Sequence, residues 1–119
     1  MNEWTVLSSL REITPLDENG AADALPLCRT ALQTLLPRLK PSADPEDIRI
    51  AHAAAGIAYY KWVLRSTAEE DNLTSFKAGD VTVSRSASSA LERAAFVRNE
   101  ALLEASALLL DENFAFCSV

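Results

Sequence analysis

The sequence predicts an all-α fold: a small bundle of about four helices, with a short extended loop or hairpin between the last two long ones. Three observations predict it. Alanine and leucine dominate a chain with only three glycines, a balance that favours helix over sheet. At 119 residues, 49% apolar and 24% charged, the chain has the make-up of one globular domain with a core of its own. Finally, the stretch from Pro45 to Asp71 is apolar on nearly every side, the mark of a helix surrounded by others.

Taken in order, Trp4, Leu7, Leu10 and Ile13 recur three apart and predict a first helix over about 2–13 with those side chains inward. Pro15 stops it, because the residue before a proline is pushed out of the helical region. Residues 15–20 read as a loop. A second helix is expected over 22–39, with Leu25, Leu32, Leu35, Leu36 and Leu39 as its apolar stripe. Pro26 suits its first turn, where a missing amide hydrogen costs little. Pro37 bends or ends it, and residues 41–44 form a connector.

The central helix is expected over 45–71. Asp44 is placed to cap it, Pro45 suits the first helical position, and Glu46 and Asp47 set negative charge at the positive end of the helix dipole. Ala53, Ala54, Ala55 and Gly56 have almost no bulk, so neighbouring helices can approach the backbone closely. After Asp71 the helical period fades. Val81, Thr82, Val83 and Ser84 alternate apolar with polar and are rich in β-branched residues, so an extended segment is expected within 73–85. Its backbone needs a partner, either the 74–77 arm or a neighbouring subunit. A last long helix is expected over 87–110, opened by a capping box at Ser89 and Glu92, with Leu91, Ala95, Leu102, Ala105 and Leu109 as its seam. The tail, 111–119, carries Phe114 and Phe116. Two aromatics so near the end suit either a tail folded onto its own core or one that docks on another chain.

Composition narrows the function. The net charge of −6 argues against wrapping nucleic acid, where phosphate contacts supply much of the affinity. No apolar run reaches the roughly 18–20 residues that span a bilayer, and no basic stretch followed by an apolar one opens the chain, so a soluble, cytoplasmic protein is expected. Cys28 and Cys117 form no CxxC pair, and with one histidine they do not suggest a zinc site. His52 shares a face with Arg49, Gly56 and Tyr59, with no nucleophile or acid at local spacing to complete a catalytic set. Glu69, Glu70 and Asp71, like Glu100 and Glu104, fit a solvated face. No glycine-rich phosphate loop is present. The residues therefore nominate no catalytic, cofactor-binding or metal-binding position, and no enzyme.

The order of an alanine-rich helix containing AHAAAGIAYYKWVLR, then SFKAGDVTVSRS, then a helix ending in LLLDENFAFCSV resembles the head–tail connector proteins of tailed phages and prophages, also called head-completion or adaptor proteins. The resemblance covers about the last two-thirds of the chain, and its most specific pieces are Phe76–Ser84 and Asp111–Phe116. It implies an all-α structural subunit that forms a homo-oligomeric ring, twelve-fold where it sits on the portal protein. Such a ring extends the DNA channel and offers a docking surface to the stopper or tail, while the DNA passes nearby without sequence-specific binding. It implies assembly in the host cytoplasm followed by residence in the virion. Carried over to this chain, the interface falls on Phe76, Lys77, Gly79, Asp80, Val81 and Val83, and on Phe114, Phe116 and Val119. The competing readings are a non-phage helical adaptor or regulator that binds its partner through the apolar tail, and a small enzyme or ligand-binding bundle using His52 and Tyr59. A helix-turn-helix is disfavoured by charge.

Overall fold

Asn2 opens the first helix. Its side-chain oxygen accepts from the amides of Trp4 and Thr5 at 3.0 and 3.1 Å, which satisfies two of the amides that a helix start leaves without partners. The computed structural model describes residues 1–74 and 81–110. Within them the chain forms α1 (Glu3–Ile13), α2 (Glu18–Leu35), α3 (Ile48–Thr74) and α4 (Val81–Glu104). One-turn 3-10 helices follow α2, at Leu36–Arg38, and α4, at Ser106–Leu108. The all-α bundle of about four helices is the architecture. Among the described residues the only β pairing is a single antiparallel bridge between Leu39 and Leu109.

Several boundaries differ from expectation, each for a local reason. α2 starts at Glu18 rather than 22, because Asp17 caps it by accepting from the Gly20 amide at 2.7 Å. Pro26 is consequently mid-helix, where it cannot donate to the Ala22 carbonyl. Both residues are exposed, so water can serve that carbonyl. The cap of α3 is Asp47, not Asp44: its Oδ1 accepts from the Arg49 amide at 2.9 Å, while Asp44 holds the preceding turn through the Glu46 amide. α4 begins at Val81, so the capping box at Ser89 and Glu92 lies inside a helix, and Val81–Ser84 is helical rather than extended. Four alternating residues are a weak strand signal. A helix closes its own backbone bonds, whereas a lone strand has no partner to close them. The rest of the expected loop, 75–80, and the tail, 111–119, lie outside the described residues.

The core is built from α1, α2 and α3, which all touch one another; α4 packs chiefly on α3. Val6 and Leu10 of α1, Cys28 and Leu35 of α2, and Ile50 of α3 are its largest fully enclosed side chains. The apolar stripe expected on α1 is only half right. A three-residue step turns a helix by about 300°, so positions three apart slip by about 60° each time. Trp4 and Ile13 therefore stand half a turn apart; Leu7 and Leu10 are buried and Trp4 is 60% exposed. On α2 the inner face is mostly small (Ala21, Ala24, Cys28, Ala31), and of the expected leucines only Leu32 and Leu35 are buried.

α3 and α4 run antiparallel at close range. A Cβ added at Gly56 would lie 3.1 Å from the Arg98 Cα and 3.2 Å from the Ala101 Cβ. Ala53, Ala54, Ala55 and Ala58 continue this low-bulk stretch, all fully buried. At the far end the exits of α2 and α4 are stitched together: the Lys40 amide donates to the Leu108 carbonyl and the Leu110 amide to the Arg38 carbonyl, both at 2.9 Å. Both helices stop short of the ends expected for them, 39 and 110, to make this pairing. Gly56→Ala is expected to lower stability by about 1 kcal/mol, overpacking of about 1–3 kcal/mol outweighing a helix-propensity gain of about 1. A lowered urea midpoint with unchanged slope checks it. Leu10→Ala, which opens a cavity in the enclosed core, is expected to cost about 2–5 kcal/mol in the same measurement.

Candidate functional site

Because α4 rests on α3 with little contact to α1, a cleft opens between α1 and α4 with α3 as its floor. Its volume is about 520 Å³. α1 contributes Ser9, Glu12 and Ile13; α3 contributes His52 and Ala55. From α4 come Phe96, Val97, Glu100, Ala101, Leu103 and Glu104. Phe96 is 64% and Leu103 67% exposed at its lip.

The acid that local spacing could not supply to His52 comes from another helix. His52 Nδ1 lies 3.1 Å from Glu104 Oε1, a contact made by the antiparallel register of α3 and α4. The two side chains are 39% and 50% exposed, so the pair is a screened, surface interaction. Beside it, Arg49 donates to both carboxylate oxygens of Asp47, at 3.1 and 2.9 Å. That bond holds the Asp47 carboxyl below its ordinary range and the Arg49 guanidinium above its own, with Glu104 adding a smaller push on Arg49. Tyr59 packs against the core and Arg98 stacks over the Tyr60 ring at 4.3 Å. The residues expected on one face, Arg49, His52, Gly56 and Tyr59, are therefore divided among separate tasks and form no single site.

Ser9, His52 and Glu104 are the residue types of a nucleophile, a base and an orienting acid, gathered in one cleft. Among the described residues, however, the Ser9 hydroxyl makes no hydrogen bond to the imidazole. The cleft walls are helix interiors, whose amides are already committed to helix bonds; a developing oxyanion would meet no free donor from them. Among the described residues no group of three or more His, Cys, Asp or Glu side chains is placed to hold a metal ion. No helix of the described residues is long and apolar enough to cross a membrane.

Of the interface positions nominated by resemblance, Phe76, Lys77, Gly79, Asp80, Phe114, Phe116 and Val119 lie outside the described residues. Val81 and Val83 lie in the first turn of α4, which presents no strand for backbone pairing there. What residue-by-residue reading missed is the apolar lip of the cleft. Its signal was present in the two large apolar residues flanking Glu100 at a seven-residue spacing, Phe96 and Leu103. No family model matches the chain, and neither a curated protein nor a solved structure matches it.

Two outcomes follow from these surroundings. Burial pushes the Cys28 thiol up from 9.0 to about 11, opposed in part by a backbone hydrogen bond. The unfolded chain loses this proton at lower pH than the folded one, so the thiol's contribution to stability is present below about 9 and lost as pH rises towards about 11. In a Cys117→Ser background, a thiol-specific reagent at pH 8 is expected to modify Cys28 only at the rate of unfolding; rapid stoichiometric labelling of the native protein would contradict this. Asp47→Ala, which removes both the α3 cap and the partner of Arg49, is expected to lower the melting temperature more than Asp47→Asn, which keeps a capping oxygen.

Proposed function

We propose that the chain is a structural subunit of a phage head–tail connector. It joins copies of itself into a ring beneath the portal, extends the DNA channel and offers a surface to the stopper or tail. The resemblance carried by Phe76–Ser84 and Asp111–Phe116 motivates this reading. The observation that carries it furthest is the amount of apolar surface left uncovered on so small a bundle. Outside the cleft described above, Trp4, Ile48 and Leu64 are 60%, 56% and 45% exposed. Single exposed apolar residues are ordinary, but several large ones among the described residues of so small a bundle fit a protein completed by neighbours. A head-to-tail ring covers two different patches on each subunit at once. The acidic balance, −6 overall, is compatible with a channel past which a polyanion slides without sticking.

Sedimentation of the purified chain over a concentration series, alone and with its portal protein, tests the reading. Association that strengthens with concentration and with portal is expected; a monomer under every condition would overturn it. Deleting residues 114–119 is expected to abolish portal association while leaving the helical circular dichroism nearly intact. A large loss of helical signal would assign the tail to the core instead.

A further inference from the structure

The cleft between α1 and α4 has features that neither the core nor the ring reading uses. Three carboxylates, Glu12, Glu100 and Glu104, line it, and no lysine or arginine does. Ser9 is only 7% exposed, yet its hydroxyl has no hydrogen-bond partner among the described residues. No buried side-chain oxygen is wholly sealed off without a partner among those residues, so that hydroxyl still reaches the cleft surface. Between these polar groups lie Ile13, Ala55 and Val97, with Phe96 and Leu103 at the mouth.

We infer that this cleft is a docking pocket for an arginine side chain presented between apolar residues on a helix of a partner protein. The chemistry matches part by part. A guanidinium has several donors in a planar fork and no acceptor, and the polar atoms of the cleft other than the imidazole are carboxylate and hydroxyl oxygens that accept. Its aliphatic stem needs an apolar trough, which Ile13, Ala55 and Val97 supply. Apolar neighbours of the arginine cover Phe96 and Leu103, which stay largely exposed among the described residues. A free small cation would satisfy the carboxylates but leave those two side chains in water. A second copy of the chain is less well matched, since its net charge repeats that of the cleft. The pocket's volume of about 520 Å³ takes one or two side chains rather than a whole helix. The partner's helix therefore lies across the mouth, as in other groove-bound helices.

The inference stands apart from the connector reading, and the test below uses no portal, so either can fail alone. The probe is a synthetic amphipathic helix with one arginine between two leucines on its apolar face and no other charge. Titrated into the nitrogen-15-labelled chain, it is expected to shift backbone amides grouped around Ser9, Ala55 and Ala101. Arginine→Gln in the peptide, or Glu100→Gln in the protein, is expected to weaken binding about five- to tenfold by removing a charged hydrogen bond. Phe96→Ser is expected to weaken it through lost apolar contact. Both protein variants change exposed positions, and unchanged circular dichroism verifies that they fold. Equal binding of the glutamine peptide, or shifts centred elsewhere, would overturn the inference. So would free arginine or a linear polyamine giving the same shifts at similar concentration, which would make this a small-cation site. Self-association that Phe96→Ser abolishes, with no peptide binding, would assign the cleft to a second copy instead.

Discussion

The structure depends on how closely α3 and α4 approach one another. Gly56 has no side chain where the Arg98 Cα comes near, and Ala101 faces it from the same stretch of α4. Contact at that distance fixes the antiparallel register, and the register fixes everything polar along the seam. His52 meets Glu104, and Arg98 comes to lie over Tyr60. A larger residue at position 56 would press directly on backbone, which has no rotamer by which to yield.

The same approach explains why there is a cleft at all. α1, α2 and α3 close on one another around Val6, Leu10, Leu35 and Ile50, and α4 joins that unit chiefly through α3. A helix held mainly by one neighbour buries a narrow stripe, here Ala94 and Leu102 with Ala105 just past its end, and leaves its flanks open. Phe96 and Leu103 stand on such a flank. Their exposure follows from the packing arrangement, and for the same reason the surface beside them is available to another molecule.

The electrostatics around the cleft are those of a solvated surface, with one organised corner beside it. Asp47 and Arg49 are bound through two bonds at the start of α3, and the His52–Glu104 contact lies beside them. Neither pair is enclosed, so both orient side chains more than they stabilise the fold. Cys28 is the contrasting case. It is sealed among small residues of α2 and α3, its thiol kept protonated by burial, and it serves as core rather than as chemistry.

Sequence alone determined the helical class, the number of helices and the central place of α3. These follow from composition and from apolar residues on every side of one segment, properties that need no knowledge of neighbours. It located the first helix closely, because Asn2 and Pro15 act on adjacent backbone. It did not determine which leucines face inward, since a three-residue spacing drifts around the helix and small residues compete for the closest contacts. Nor could it show that α2 and α4 stop early. Ala105, Ser106, Ala107 and Leu108 are compatible with a continuing helix, and only the pairing of Leu39 with Leu109 draws the chain out of it. The cleft belongs wholly to tertiary structure: Ser9, His52 and Glu104 are distant along the chain, and the packing of three helices brings them together.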